Sequence, residues 1–277
     1  MQNISLAKKI NFKEGESANE SIITIEPLFP GYGMTLGNSL RRVLLSSLSG
    51  SAVVGVKIKG ASHEFMSLPH IKEDVLEIVL NIKQLRVKMF DKEEVRLSLS
   101  VKGKKIVTAK DIKSESRVEI KNPDLVLAEI TDAAGSLDVE IFVQYGLGYK
   151  MTDSDSKENK EIGYIEIDSI FSPVTLVSIE VENTRVGKMT NWDKLNLRVK
   201  TDGTISAKEA FEASVKILVE QFSAFLTLSS GGELEEASSK EDVKEGVIED
   251  IDSEEIEEEE VEEKKEKKVK KEKKAKK

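Results

Sequence analysis

Two glycine-rich segments have spacings close to those of loops that bind phosphate groups. The run from Gly31 to Gly37, GYGMTLG, is similar to the dinucleotide fingerprint G-x-G-x-x-G and precedes a predicted helix. Its last gap is one residue too long, and the surrounding pattern is not that of a βαβ unit. The run from Gly55 to Ser62 has P-loop spacing, but Ala61 stands where the phosphate-binding lysine is required. We therefore interpret neither segment as a cofactor site.

Carboxylates and histidines are the other groups that could support catalysis. Asp153 and Asp155 could hold a metal ion, but they lie in a polar stretch, and a metal site needs carboxylates on a rigid frame. We interpret them as solvated loop residues; the alternative is a metal-dependent hydrolase, which would lose activity on chelation. His63 and Glu64 could form an acid–base pair, although a surface or interface histidine is the simpler interpretation. Because the chain has no cysteine, 2 histidines and no G-x-S-x-G elbow, we predict no catalytic residue, no metal site and no cofactor.

Two adjacent arginines, Arg41 and Arg42, lie in the middle of a predicted helix. Leu40, Val43 and Leu44 share the helix face that turns to the core, so the arginines project from its flanks. Two interpretations stay open. One is a solvated helix face. The other is a hot spot for protein binding, because arginine presents a rigid fork of donors and is enriched at such sites.

Period-2 alternation of apolar and polar residues dominates the segments that must position these groups. Such alternation is typical of antiparallel strands with one buried face. The predicted strands are 54–58, 85–89, 95–99, 137–141 and 195–199, with further strands over 22–25, 162–167 and 174–181.

Three stretches have the periodicity of helices, namely 35–48, 70–82 and 207–228. The third opens with Ser206 and Glu209, an S-x-x-E capping box in which each side chain accepts the free amide hydrogen of the other residue. Its apolar residues cover nearly the whole circumference, so it must be buried on more than one side. A second copy of the chain is the simplest source of that cover, because most soluble oligomers are two-fold dimers.

Charge separates the carboxyl-terminal residues from the rest of the chain. The 277 residues have a formal net charge of −9, and residues 231–277 contribute 12 lysines against 19 acidic residues. An acidic block, 249–263, precedes a lysine block, 264–277, which predicts a disordered tail or a transient helical hairpin between the blocks. No apolar run is long enough to span a bilayer and no signal sequence is visible, so we expect an intracellular, cytoplasmic protein.

Several long motifs, in collinear order along the body of the chain, resemble the alpha subunit of bacterial-type DNA-directed RNA polymerase. They are PLFPGYGMTLGNSLRRVLLSSLSGSAVVGVKIKG (27–60), HEF (63–65), IKEDVLEIVLNIK (71–83), SPV (172–174) and WDKLNLRVKTDGTISAKEA (192–210). The resemblance implies an α+β fold. A dimerisation domain of antiparallel sheet plus two long helices would comprise 1–50 and 171–230, and an inserted, mostly antiparallel β domain would comprise 51–170. It also implies a homodimeric scaffold that nucleates assembly of this nucleotidyltransferase by binding the beta and beta-prime subunits, without catalytic groups of its own.

The resemblance implies roles for single positions as well. The residues that correspond by position to beta-binding residues of the family are Arg42, Arg41, Gly37, Asn38, His63, Glu64, Asp74 and Glu77. The residues that correspond by position to beta-prime-binding residues are Lys83, Asp168 and Val174. The dimer interface is expected to use Leu36, Leu40, Leu44, Phe211, Val215, Leu218, Phe222 and Phe225.

The carboxyl-terminal residues depart from the family pattern. Family members continue through a linker into a small helical domain that binds upstream promoter DNA and activators, whereas residues 231–277 have a composition that fits no folded domain. We therefore expect no direct DNA contact through such a domain. The lysine block could add a weak, salt-sensitive attraction to nucleic acid, which the acidic block opposes. The rival interpretation of the whole chain is a homodimeric interaction module of another intracellular complex.

Overall fold

The computed structural model describes residues 4–113, 115–152 and 163–229. The elements in these residues are, in chain order, β1 Lys9–Glu14, β2 Glu20–Leu28, α1 Tyr32–Ser46, β3 Ser49–Ile58, α2 Val75–Lys83, β4 Val87–Met89, β5 Val95–Lys102, β6 Lys105–Thr108, a 3-10 turn Ala109–Asp111, β7 Ile112–Lys113, β8 Val118–Ile120, β9 Val126–Ile130, β10 Ser136–Leu147, β11 Tyr149–Lys150, β12 Tyr164–Glu166, β13 Ser169–Ile170, β14 Val174–Val186, β15 Met189–Thr201 and α3 Ala207–Ser229. The predicted α+β fold with antiparallel sheets is confirmed. The expectations for Asp153, Asp155 and the charged tail fall outside the described residues.

The first sheet is antiparallel and has the strand order β1-β2-β15-β14. Alternate residues form its buried face, as in the cross-strand pairs Ile23–Leu197 and Ile25–Leu195. α1 contacts β14, β15 and α3, and α3 in turn contacts β2 and β15. The first hydrophobic core therefore lies between this sheet and the two helices, and its largest members include Ile23, Leu28, Leu40, Leu44, Val177, Leu195, Leu197 and Phe211.

The second sheet has the strand order β12-β3-β10-β5-β7. Its period-2 pattern is clearest in β5, where buried and exposed residues alternate over the whole strand. α2 contacts β3 and β9, and the short strand pairs β4–β8 and β6–β9 complete the cover of the buried face. This second core shares no buried residue with the first, and it includes Val56, Ile58, Ile78, Ile82, Leu97, Leu99, Ile130 and Ile141.

The second helix is shorter than predicted. It begins at Val75 rather than at residue 70. His70 has a φ of +64°, in the left-handed region, and Ile71 forms a β-bridge with Ile130 of β9. The next amide, that of Lys72, donates to the carbonyl of Glu129 at 3.1 Å. Pairing with a distant strand therefore holds this segment extended, although the spacing of Ile71 fits the helical stripe.

The third helix has a confirmed start and two different halves. The amide of Ser206 donates to Glu209 Oε2 at 2.9 Å and the amide of Glu209 to Ser206 Oγ at 3.2 Å, which is the predicted capping box. The buried residues of α3 lie between Ala207 and Ser214. The second half exposes a run of large apolar side chains, Val219, Phe222, Phe225, Leu226 and Leu228. Within the described residues, α3 is therefore covered mainly in its first half.

Candidate functional site

The start of α1 is held by a carboxylate from β15. Gly31 precedes the helix with a φ of +86°, a conformation that side-chain-bearing residues rarely adopt, and it has no side chain with which to cap the helix. Asp193 Oδ2 instead accepts hydrogen bonds from the amides of Gly31 and Gly33, both at 2.9 Å. Asp193 is 8% exposed and Gly33 is buried, so the bond to the Gly33 amide is shielded from water. The sequence analysis missed this residue, because the cap lies 162 positions from the helix that it serves.

Aromatic rings support the same junction. The Phe29 ring meets the ring of Trp192, the neighbour of Asp193, edge-to-face with centroids 5.9 Å apart, and it meets the ring of Tyr32 at 6.0 Å. Such edge-to-face pairs add stability beyond the area that they bury. Two consecutive residues of β15 therefore hold the start of α1, one by packing and one by hydrogen bonds.

The glycines of the GYGMTLG segment serve helix–sheet packing. A Cβ atom on Gly37 would lie 3.0 Å from Ile179 Cγ2 and 3.0 Å from Leu195 Cδ1, and one on Gly33 would lie 2.9 Å from Val181 Cγ1. The helix N-terminus, where a phosphate would bind in a dinucleotide site, already holds Asp193. Gly37 is buried against the sheet and packs α1 on it, and its expected contact with the beta subunit stays a prediction.

The exposed face of α1 carries the two arginines. Arg41 and Arg42 are both exposed, and no ion pair reaches either of them from the part of the chain that the structure describes. Asn38 and Ser46 lie one turn before and one turn after Arg42, so these three residues share a face. Ser46 Oγ donates to the carbonyl of Arg42 at 2.8 Å. Both guanidinium groups are therefore open to a partner.

The other residues matched to beta binding lie on or before α2. Asp74 is the N-cap residue of α2 and Glu77 lies in its first turn, where carboxylates favour the helix dipole. His63 is exposed and Glu64 is half-buried in the loop that precedes the helix. The residues matched to beta binding therefore lie in two parts of the fold. Asn38 and the two arginines lie on α1, which packs on the first core, whereas His63, Glu64, Asp74 and Glu77 lie beside the second core.

Lys83 and Asp168, two of the positions matched to beta-prime binding, lie close enough to interact. Asp168 accepts hydrogen bonds from Thr152, whose Oγ1 lies at 2.6 Å and whose amide nitrogen lies at 2.8 Å. These two bonds, a hydrogen bond from Tyr149 and the charge of Lys83 lower the pKa of Asp168 to about 2. The bond to Asp168 also raises the pKa of Tyr149. The third position, Val174, is 5% exposed and packs in the first core, and its expected contact with the beta-prime subunit stays a prediction.

The residues expected at the dimer interface fall into two groups. Leu40, Leu44 and Phe211 are buried in the first core of their own chain, and their expected place in the dimer interface stays a prediction. Val215 and Leu218 are half-buried against the same core. The exposed members of the set are Leu36 at 40%, Phe222 at 59% and Phe225 at 61%.

Two matches with known proteins are informative. A family model described as the RNA polymerase Rpb3/RpoA insert domain matches residues 56–172. The DNA-directed RNA polymerase subunit alpha of Carboxydothermus hydrogenoformans is 48% identical over 234 residues, which is 82% of this chain and 74% of that protein. The chain belongs to the family of DNA-directed RNA polymerase alpha subunits. The family resemblance of its motifs is thereby confirmed, and its function is that of this subunit in DNA-directed transcription.

The insert-domain match of this polymerase subunit coincides with the second sheet. Residues 56–172 begin within β3 and extend just beyond β13, so they contain α2 and β10. Lys83 and Asp168 lie inside this region, whereas Arg41 and Arg42 lie outside it on α1. The two candidate docking faces therefore belong to different parts of the fold.

Three further features concern the described residues of this family member. They contain no cluster of three His, Cys, Asp or Glu side chains able to hold a metal ion. In the same residues, no helix is both long enough and apolar enough to cross a membrane.

A cavity of about 510 Å³ opens on the outer face of the second sheet. Three of its polar lining residues interact with one another, because Ser100 Oγ donates to Asp138 at 2.6 Å and Lys59 lies 3.7 Å from the same carboxylate.

Proposed function

We propose that this chain acts as a homodimer on which the beta and beta-prime subunits of DNA-directed RNA polymerase assemble, and that it contributes no catalytic side chain. We also propose that residues 1–50 and 171–230 form a dimerisation domain and residues 51–170 an inserted domain. Two hydrophobic cores without a shared buried residue support this division. The subunit would work in the bacterial cytoplasm.

The exposed half of α3 is the observation that carries the proposed dimer. Phe222, Phe225 and Leu226 are 59%, 61% and 72% exposed, although such side chains gain about 2 kcal/mol each from full burial. Contiguous apolar patches of this kind mark interaction surfaces. Leu36, at 40%, is a further exposed apolar side chain on α1, a helix that contacts α3. A second copy would present the same patch and cover it about a two-fold axis.

The two charged faces support the proposed docking of large subunits. A dimer presents two copies of the arginine face on α1 and two copies of the face that contains Lys83 and Asp168. If beta binds one copy and beta-prime the other, identical surfaces become unequal through their partners. Arg42 suits such a contact, because its fork of donors is already exposed and unpaired with any described carboxylate.

Reconstitution tests the assembly role directly. We expect this chain, expressed with the beta and beta-prime subunits of its own organism, to purify as one complex with two copies of this chain and one of each large subunit. Native mass spectrometry gives that stoichiometry. A dimer that binds neither large subunit would contradict the proposal, as would a complex that contains a single copy of this chain.

Two substitutions separate docking from dimerisation. We expect Arg42→Ala to weaken binding of the beta subunit by about 2 kcal/mol or more, the size of a hot-spot loss, and to leave the dimer intact. Arg117→Ala is a matched control, because Arg117 is an exposed arginine of the insert that forms only surface ion pairs. Phe222→Ser should convert the dimer to a monomer. An Arg42→Ala protein that sediments as a monomer would refute this division of roles.

A further inference from the structure

The chain passes between the two hydrophobic cores at two places. β3 makes the first passage, because it directly follows Leu48 of the first core and reaches the second core at Val53. Residues 168–174, which we call the junction segment, make the second passage, because they follow Ile167 of the second core and end at Val174 of the first. Parts of a chain that have separate cores move relative to one another unless the contacts between them prevent it. The contacts at these two passages therefore decide whether the insert can move.

A third, small apolar cluster lies at the two passages. Ala52 and Val54 of β3, Phe142 of β10 and Phe171 of the junction segment are buried together, and none of them belongs to either large core. We call these four residues the Phe171 cluster. The ring of Tyr164 packs against it and meets the Phe142 ring edge-to-face, with centroids 5.0 Å apart. Because the cluster contains residues from both passages, it joins one passage to the other.

Two glycines make room for Phe171. Gly50 of β3 and Gly146 of β10 are cross-strand partners. A Cβ atom on Gly146 would lie 2.9 Å from Cε2 and Cζ of the Phe171 ring, and a Cβ atom on Gly50 would collide with the carbonyl oxygen of Phe171. The amide of Phe171 donates to the carbonyl of Gly148 at 2.9 Å. A side chain at position 50 or 146 would therefore displace Phe171, and the junction segment with it.

The neighbours of Phe171 are hydrogen-bonded toward both parts of the fold. On one side, the hydroxyl of Ser169, which is 2% exposed, donates to the carbonyl of Val53 in β3 at 2.8 Å. On the other side, Ser172 Oγ donates to the carbonyl of Leu45 in α1 at 3.1 Å. A hinge consists of a few residues whose backbone torsions are free to change. The junction segment lacks that freedom, because bonds and packing hold it along its length.

We propose that the Phe171 cluster is a lock that holds the insert in one orientation relative to the first sheet and its helices. Phe171 is then a positioning residue, since it fixes where the face that contains Lys83 and Asp168 lies relative to the arginines on α1. The subunit would present both faces as parts of one rigid body. This inference goes beyond the proposed assembly role and does not depend on it.

A distance measured between two spin labels on the same chain tests the lock. The chain has no cysteine, so labels can be attached at Glu212→Cys on α3 and Asp124→Cys in the insert, both of which replace exposed residues. The full-length labelled chain is mixed with an excess of unlabelled chain, so that only distances within one chain are recorded. Double electron–electron resonance should give one narrow distance distribution. A broad distribution in this labelled parent would overturn the inference.

Two variants of the cluster should release the insert. We expect Phe171→Ala to broaden the distance distribution by about two-fold or more, because the ring that joins the passages is gone. Gly146→Val should have the same effect by displacing the ring instead of removing it. Circular dichroism shows whether each variant is folded. If Phe171→Ala does not fold, Gly146→Val decides, and a folded Gly146→Val chain with the narrow parental distribution would refute the lock.

Leu127→Ala is the matched control, because Leu127 is fully buried in the second core and its truncation leaves a cavity away from the passages. It should destabilise the chain and leave the distance distribution narrow. The inference is wrong if Phe171→Ala is folded and as narrow as the parent, or if Leu127→Ala broadens the distribution equally. Failure of the chain to form a dimer would contradict the proposed function alone, since the measured distance lies within one chain.

Discussion

Removing the Asp193 carboxylate should destabilise this subunit more than its position on a strand would suggest. Asp193→Ala deletes the acceptor of two amide hydrogen bonds, each 2.9 Å long, at the start of α1. Gly31 is exposed, so water can replace one bond, but Gly33 is buried and its amide would be left without a partner. An unsatisfied buried amide costs about 1–3 kcal/mol, and loss of an anion at a helix N-terminus costs about 0.3–1 kcal/mol more.

We therefore expect Asp193→Ala to lower the free energy of unfolding by about 2–4 kcal/mol. Asp193→Asn keeps a side-chain acceptor and loses only the charge, so its free energy of unfolding should fall by only about 1 kcal/mol. Urea unfolding followed by circular dichroism measures both values. All proteins must be compared at one concentration, because the stability of an oligomer depends on concentration.

Asp91→Ala is the matched control, since Asp91 is an exposed carboxylate in the loop between β4 and β5. Its free energy of unfolding should stay within about 0.5 kcal/mol of that of the wild type. The amide hydrogens in the first turn of α1 should also exchange with solvent faster in Asp193→Ala than in the wild type. If Asp193→Ala were as stable as the Asp91→Ala control, the cap would carry no stability and the reasoning would fail.

Two further predictions concern the glycine contact and the Asp168 network. Gly37→Leu should lower the free energy of unfolding by about 1–3 kcal/mol, because a side chain there meets Ile179 and Leu195 of the sheet. Asn38→Leu, one residue along on the exposed face, should leave it unchanged. For Asp168, the folded-state pKa of about 2 lies below the ordinary value of 3.8, so its contribution to stability is complete above pH 4 and is lost as pH falls through 2. The stability difference between wild type and Asp168→Asn, followed from pH 6 to pH 2, should therefore shrink toward zero; a difference that grows on acidification would contradict the hydrogen-bond network with Thr152.

Patterns that repeat over a few residues predicted most of the elements correctly. The alternation in 95–99 and 195–199 corresponds to β5 and β15, and the S-x-x-E sequence starts α3 at the predicted place. Both signals arise from contacts within one to four positions, namely the pleat of a strand and the reciprocal bonds of a cap. The family motifs also identified the chain, because they are long, specific and collinear.

Local patterns failed where distant segments compete for the same backbone. Ile71 has helical spacing with Val75, but its backbone pairs with Ile130, so the helix starts later. The apolar stripe of α3 could not show that Phe211 is covered by its own chain while Phe222 is exposed. Periodicity reveals that a face is apolar, and only packing shows which part of it another element covers.

The sequence of this subunit determines its strands, its helices and its family, since each depends on residue types at short spacings or in ordered motifs. The tertiary structure determines which residues remain available for function. Gly37 and Val174, matched by position to partner contacts, are buried, whereas Arg42 and Lys83 keep their charges accessible. The Asp193 cap arises from contact between segments far apart in the chain. Accessibility and long-range contact are properties of the assembled core, and no single stretch of sequence encodes them.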